Sequence, residues 1–309
     1  MKNILITGSS GFIGKYLIEK LKNNNNLNIQ TLENDLRNYD KVKQEILNKK
    51  PNIIVHLAAC TEVAKSFESP LKFSETNYLG TVNLAETALQ LDSFDLFLFS
   101  STMETYGWQP VSDKIMNNTY NEKDLIPFDE NTPQNPNASY AVAKLGCEKY
   151  IEYLNRSYNL PYCNLRQTNT YGRWDNDFFV VEQIITQMLN EEKVRLGNPK
   201  PYRNFLFIDD LIELYDKIIN NPTKVINNTY CLGPQNAIKI CDLTTIIAEK
   251  LNCNKEIVWN SKLQRPGEIY YLSSCGDKIY NHIGWKPKTD LNKGLDLTIS
   301  YWKGNLNEN

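Results

Sequence analysis

Tyr140 and Lys144 stand four residues apart in Tyr140-Ala141-Val142-Ala143-Lys144, a spacing that puts both side chains on one face of a helix. An ammonium beside a phenol favours the phenolate, so Lys144 is expected to lower the pKa of Tyr140. A phenolate so placed can take the proton of a substrate hydroxyl while hydride leaves the same carbon for an acceptor. Taken alone, a Tyr and a Lys four apart are common on helix surfaces. The pair gains force from Ser100-Ser101-Thr102, which closes the apolar run FDLFLFSST (94–102).

A place for the acceptor is written into the first residues. Thr7-Gly8-Ser9-Ser10-Gly11-Phe12-Ile13-Gly14 separates the apolar run KNILIT (2–7) from KYLIEKLKN, which has helical periodicity. Gly8 permits a tight turn, Gly11 lets backbone amides approach a pyrophosphate, and Gly14 allows close helix packing. Phe12 and Ile13 then lie at a helix N-terminus that faces the anion. A dinucleotide is the expected ligand. A ribose-binding acid should follow at the end of the second strand, and Glu33 is the candidate. A carboxylate there bonds a 2′-hydroxyl and repels a 2′-phosphate, which favours NAD over NADP. Asp35 and Leu36 follow at once and are counted with the cofactor contacts, while Arg37 suits a 2′-phosphate and keeps NADP open.

These residues need a scaffold that alternates strand and helix. LNIQTLE (27–33), NIIVHLAA (52–59), FDLFLFSST (94–102) and YCNLRQT (162–168) read as strands after the first. YDKVKQEILNKK (39–50), ETNYLGTVNLAETALQ (75–90) and SYAVAKLGCEKYIEYLNRSY (139–158) read as helices between them, and 109–136 as an irregular excursion. The expected fold is α/β: a Rossmann-type doubly wound parallel sheet with a smaller C-terminal α/β substrate-binding lobe. The cofactor domain is placed at 1–170, with 203–232 returning to it, and the lobe at 171–202 and 233–309.

Bulk properties narrow the class. The chain has 309 residues, 41% hydrophobic and 23% charged, with a net charge of −2. Nothing basic calls for nucleic acid, and no run reaches the length of a membrane span. The 7 cysteines form no C-x-x-C pair and only 2 histidines are present, so a disulfide framework and a metal site are both unexpected. The N-terminus has no signal-type cleavage site, and a cytoplasmic location is the default. His56 reads as a satisfied core histidine, Cys60 as a small packing residue, and Asp209 and Asp210 as caps of the helix at 211–219.

The motifs together resemble the extended short-chain dehydrogenase/reductase superfamily, over nearly the whole chain. TGxxGxxG, the Ser/Thr at a strand end and YxxxK are joined by HLAA (56–59) and Asn77, which look like cofactor-contact segments and bring in Leu57, Ala58 and Ala59. Arg166 to Gly172 looks like R-x-x-N-x-Y-G. Arg203 to Asp210 resembles R-D-F-L-Y-V-D-D, and Arg265-Pro266-Gly267-Glu268 and Gly284-Trp285-Lys286-Pro287 resemble the RPG and GWxP segments. Within the superfamily the chain looks like the NAD-dependent nucleotide-sugar epimerases and dehydratases. The resemblance implies a nucleotide-diphosphate sugar as substrate, contacted by Asn169, with Arg203 and Arg265 holding diphosphate and ribose. Arginine forks suit phosphate oxygens. It also implies that Lys144 bonds the nicotinamide ribose and that the enzyme is a homodimer through a bundle containing the Tyr140–Lys144 helix, with Leu145, Tyr150, Ile151 and Tyr153 as a further apolar face.

Thr102-Met103-Glu104-Thr105-Tyr106-Gly107 bears on the reaction. The 4,6-dehydratases of this family usually read T-D-E-x-Y-G. By that resemblance Thr102 bonds the 4-hydroxyl and Glu104 removes the C5 proton, while Met103 stands where an acid is usual. Met103 cannot donate a proton and reads as an apolar wall of the sugar pocket. The leading expectation is a 4,6-dehydratase, with UDP-N-acetylglucosamine or another hexose as substrate. A 4-epimerase is the alternative, a UDP-uronate decarboxylase ranks below it, and a non-catalytic NAD-binding protein is the option from another class.

Overall fold

The computed structural model describes residues 1–173, 176–234 and 236–306. Positions 174, 175, 235 and 307–309, all within the expected lobe segments, lie outside the described residues.

The central sheet has 6 strands: β1 (Lys2–Thr7), β2 (Leu27–Thr31), β3 (Ile53–His56), β4 (Leu96–Thr102), β5 (Tyr162–Gln167) and β6 (Asn228–Cys231). They run parallel in the order β6-β5-β4-β3-β1-β2. Parallel strands covered on both faces carry continuous apolar runs, because successive side chains point to opposite layers. Ile4, Ile6, Val55, Leu98 and Leu165 face one layer, with helices α1 (Phe12–Leu21) and α6 (Ile208–Asn220) over them. Leu5, Ile54, Phe97 and Phe99 face the other, under α2 (Tyr39–Lys49), α3 (Gly80–Ala88) and α4 (Ser139–Tyr158). Each such side chain contributes about 1.5–3 kcal/mol by leaving water, so the two layers fix the doubly wound arrangement.

The expected strands are present, and two of them end early because the last residues of those apolar runs turn out of the sheet. The run 52–59 pairs only over Ile53–His56 and 27–33 only over Leu27–Thr31. Only β2 lies outside β1, whereas the usual dinucleotide-binding order 3-2-1-4-5-6 has two strands there. The stretch expected as one helix over 75–90 opens as a π-helix, Ser74–Leu79, before α3. The excursion at 109–136 holds a short helix, Pro110–Met116, and a 3-10 turn, Glu122–Asp124.

Beyond the sheet, α5 (Val180–Asn190), α7 (Ile240–Leu251) and α8 (Leu291–Leu306) accompany three small sheets. One of these joins Tyr202–Arg203 to Ile238–Lys239 and Tyr271–Leu272. Asp210 does not cap its own helix. Its carboxylate accepts from the Lys288 and Thr289 amides at 3.1 and 2.9 Å, and its carbonyl accepts from Trp285 Nε1. The acid thereby fastens the GWKP segment to α6. No helix among the described residues is long and apolar enough to cross a membrane.

Candidate active site

All six strands point their carboxyl ends to one edge, and a ligand cleft is expected where neighbouring connections diverge, here between β1 and β3. A cleft of about 630 Å³ opens there. Gly8, Gly11, Phe12, Ile13 and Gly14 form one wall, and Leu57, Ala58 and Ala59 the floor. Thr102, Met103, Glu104, Tyr140, Lys144 and Asn169 line the far end.

The phosphate loop is shaped by what it cannot hold. Gly8 sits at φ +68°, and a Cβ there would meet the Ala58 backbone nitrogen at 2.7 Å. At Gly14 a Cβ would fall 2.3 Å from the Gly8 carbonyl oxygen, so this glycine closes the loop on itself before it serves helix packing. The result is a narrow backbone cradle at the N-terminus of α1 which fits a dinucleotide pyrophosphate. Behind it, His56 Nδ1 lies 2.7 Å from the Thr7 hydroxyl and Nε2 lies 2.8 Å from the Thr81 hydroxyl. Thr7 also accepts from the Ala58 amide. His56 is thus a satisfied core histidine that sets the spacing of β1, β3 and α3, and burial holds its pKa down at about 3.

The other expected cofactor contacts lie elsewhere. Glu33 has an 82% exposed side chain facing Lys49 at 3.7 Å, and it lines a separate shallow hollow on α2. The Glu33 and Asn34 amides donate to the Glu45 carboxylate, which turns this segment onto α2. Asp35 lies outside the cleft lining and grips Arg37 through Oδ1 and Oδ2. That pairing holds the Asp35 carboxyl at about 2 and occupies the guanidinium that could have faced a 2′-phosphate. Leu36 is a core residue packed against Gly80. Asn77 is buried within the π-helix, and its amide clamps the Cys60 backbone, accepting from the nitrogen at 2.8 Å and donating to the carbonyl at 2.9 Å. It shapes the cleft floor without lining it.

At the far end, β4 delivers Thr102 and α4 delivers Tyr140 and Lys144. Thr102 Oγ1 accepts from the Glu104 amide and so starts the 3-10 turn Met103–Tyr106. Lys144 Nζ donates to the Ser100 carbonyl at 2.6 Å and lies 4.7 Å from the Phe99 ring centroid. Burial lowers its pKa to about 8, against the charges of Cys147 and Glu148. Burial pushes the Tyr140 phenol well above its ordinary value, hydrogen bonding with Thr102 works the other way, and Glu104 raises it further. The expected lowering of Tyr140 by Lys144 is therefore absent here. Burial dominates, and the ammonium is engaged by the Ser100 carbonyl.

Two charged clusters support this end. Glu148, fully buried one turn beyond Lys144, receives Arg166 Nε at 3.1 Å and Nη2 at 2.8 Å, and also bonds Ser101. Burial works against the Arg166 charge, but Glu148 raises its pKa on balance. The sequence carried a signal for this residue, since Tyr140, Lys144 and Glu148 recur every fourth position. The second cluster holds the expected substrate arginines, which do not line the main cleft. Arg265 donates to both oxygens of Glu104 at 3.1 and 3.3 Å. Its Nε lies 3.4 Å from Glu268, and Arg203 donates to the same Glu268 oxygen at 2.8 Å. Glu268 stands in the RPGE run, and only the fold reveals that it bridges two arginines. Asn169 donates to the Asn204 carbonyl.

The family model for GDP-mannose 4,6 dehydratase matches residues 18–298. The chain belongs to that family of nucleotide-sugar dehydratases and epimerases. A putative UDP-glucose 4-epimerase of Methanocaldococcus jannaschii is 28% identical, over 98% of this chain and 99% of that protein. The dTDP-glucose 4,6-dehydratase 1 of Escherichia coli K12 is 25% identical, over 98% and 93%. Among solved structures, the UDP-glucose 4-epimerase of Thermotoga maritima with UDP-glucose superposes with a TM-score of 0.87 at 26% identity, covering 98% of this chain and 99% of that one. Full-length likeness to both enzyme types places the chain in the family and leaves the choice between the reactions to the site itself.

Proposed function

We propose that this chain is an NAD-dependent nucleotide-sugar 4,6-dehydratase acting on a neutral hexose. The observation that carries the reading is the buried Glu104 carboxylate, which lines one cleft with Thr102, Tyr140 and Lys144. NAD⁺ supplies the hydride acceptor for C4 and, once reduced, the donor for C6. Tyr140 takes the proton of the 4-hydroxyl and Thr102 orients that hydroxyl, while Lys144, held on the Ser100 carbonyl in this structure, would have to turn from it towards the phenol and the nicotinamide ribose to stabilise the phenolate. The resulting C4 ketone acidifies the C5 proton, which Glu104 removes. With Met103 unable to act, Glu104 returns this proton to the departing 6-hydroxyl, so that water leaves, and C5 is reprotonated from solvent. The engagement of Arg37 by Asp35, which leaves no free guanidinium there for a 2′-phosphate, supports NAD over NADP. The segments 171–202 and 233–309 are taken to hold the nucleotide sugar. The 7 free cysteines are in keeping with a reducing, cytoplasmic setting.

A second reading, a 4-epimerase, is favoured by the hold of Arg265 on both Glu104 oxygens, since a base so tied cannot reach C5. Incubation with UDP-N-acetylglucosamine, dTDP-glucose and GDP-mannose in D₂O separates the two. A product lighter by one water with deuterium at C5 supports the dehydratase. A product of unchanged mass, inverted at C4 and without deuterium, moves the assignment to the epimerase.

A further inference from the structure

Glu104 and Arg265 come from distant parts of the chain, 161 positions apart, and meet where the cleft passes into the lobe. Glu104 lines the cleft, with an 11% exposed side chain, while Arg265 stands behind it at 15%. Arg265 has a second carboxylate neighbour in Glu268, which it shares with Arg203. The four side chains form one run, Arg203–Glu268–Arg265–Glu104, with two positive and two negative charges. Glu268 holds the arginines side by side against their mutual repulsion. Burial lowers the pKa of Arg203, and the charge of Arg265 adds to that lowering. Two crowded guanidinium groups sharing one carboxylate form a favourable seat for a diphosphate, whose oxygens match their forks. One of the two is already committed to Glu104.

We infer that Arg265 is a positioning residue contested between Glu104 and the diphosphate of the incoming nucleotide sugar, so that filling the diphosphate seat releases the Glu104 carboxylate into the cleft. This inference rests on the nucleotide-sugar reading given above. It removes the difficulty of a base tied down by an arginine, because the tie lasts only until substrate arrives. It also ties release of the base to substrate occupancy. The cost is affinity, since part of the diphosphate binding energy goes into displacing a carboxylate.

The test is a double-mutant cycle on binding, independent of turnover. UDP, dTDP and GDP are titrated calorimetrically into the NAD-loaded wild type, Glu104→Gln, Arg265→Gln and the double variant, with circular dichroism melts as a folding check. Removing the competing carboxylate in Glu104→Gln is expected to tighten the best-bound diphosphate on the order of tenfold. In the Arg265→Gln background the same change is expected to alter affinity by less than about twofold. Glu104→Ala serves as a second variant and is expected to behave as Glu104→Gln does. Unchanged or weaker binding by Glu104→Gln overturns the inference, as does a gain that persists without Arg265. If no diphosphate binds the wild type or Glu104→Gln, the nucleotide-sugar reading itself fails and the inference falls with it.

Discussion

Replacing Glu148 by Gln removes one partner of a fully buried ion pair and leaves the other in place. The carboxylate meets Arg166 Nε through both oxygens at 3.1 Å and Nη2 at 2.8 Å, and also takes the Ser101 hydroxyl and, at 3.3 Å, the Gln134 amide. Glu148 and Arg166 are 0% and 3% exposed. Water cannot take over the lost contacts, so the guanidinium stays buried with its charge uncompensated. Breaking such a pair from one side costs about 3–5 kcal/mol, against a total stability of about 5–15 kcal/mol. In urea, with a slope of about 2–3 kcal/mol per molar, the midpoint should fall by about 1–2 M. The measurement is equilibrium unfolding followed by circular dichroism, at one protein concentration. The double variant Glu148→Leu/Arg166→Met should recover most of the loss, because both charges leave together and apolar side chains of similar size fill the space. A Glu148→Gln midpoint within about 0.3 M of wild type would refute the reasoning, since it would mean that the pair contributes nothing beyond what an amide supplies.

Tyr140→Phe should lower turnover by about a hundred- to ten-thousand-fold with NAD binding intact, as read from steady-state rates beside NADH fluorescence; unchanged turnover would move the base elsewhere. Gly14→Ala should abolish NAD binding, because the new Cβ would fall 2.3 Å from the Gly8 carbonyl oxygen, and fluorescence titration checks this. His56 should make the fold acid-sensitive. Its folded pKa of about 3 lies below the ordinary 6.5, so between these values the unfolded chain binds a proton that the folded chain refuses. Stability then falls as pH drops through that window, by about 1.4 kcal/mol per unit, and urea midpoints of His56→Gln should show a correspondingly flatter slope. The α4 surface should pair with a second copy of the chain. Ile151 is spent on the sheet, whereas Val142 and Tyr153 are 55% and 38% exposed, so Val142→Glu should shift a dimer to monomer in light scattering.

Much of the scaffold was legible because its signals are local. A strand buried on both faces must be apolar throughout, as KNILIT and FDLFLFSST are, and a tight turn with a helix entry behind it must carry glycine at Gly8. That Tyr140, Lys144 and Thr102 come together at one cleft was legible for the same reason: each is fixed by its spacing within one element or by its place at a strand end. The readings that failed depended on contacts and burial that the local pattern does not carry. Glu33 has the position expected of a ribose acid, but the Glu45 carboxylate draws its segment onto α2. Asn77 looked like a cofactor contact and instead clamps Cys60. The Tyr140 phenol was expected to be acidified by Lys144, yet its protonation is governed by burial, which spacing does not reveal.

The sequence by itself determined the doubly wound sheet, the glycine turn after the first strand and the shared helix face of Tyr140 and Lys144, since these follow from periodicity and from what a backbone turn will tolerate. Tertiary structure alone decided where the charges go. Glu148 with Arg166, and Arg203 with Glu268, Arg265 and Glu104, are set by which side chains the folded core shuts away from water together. Ion pairing acts through space between residues that may stand 161 positions apart, and no local pattern encodes it.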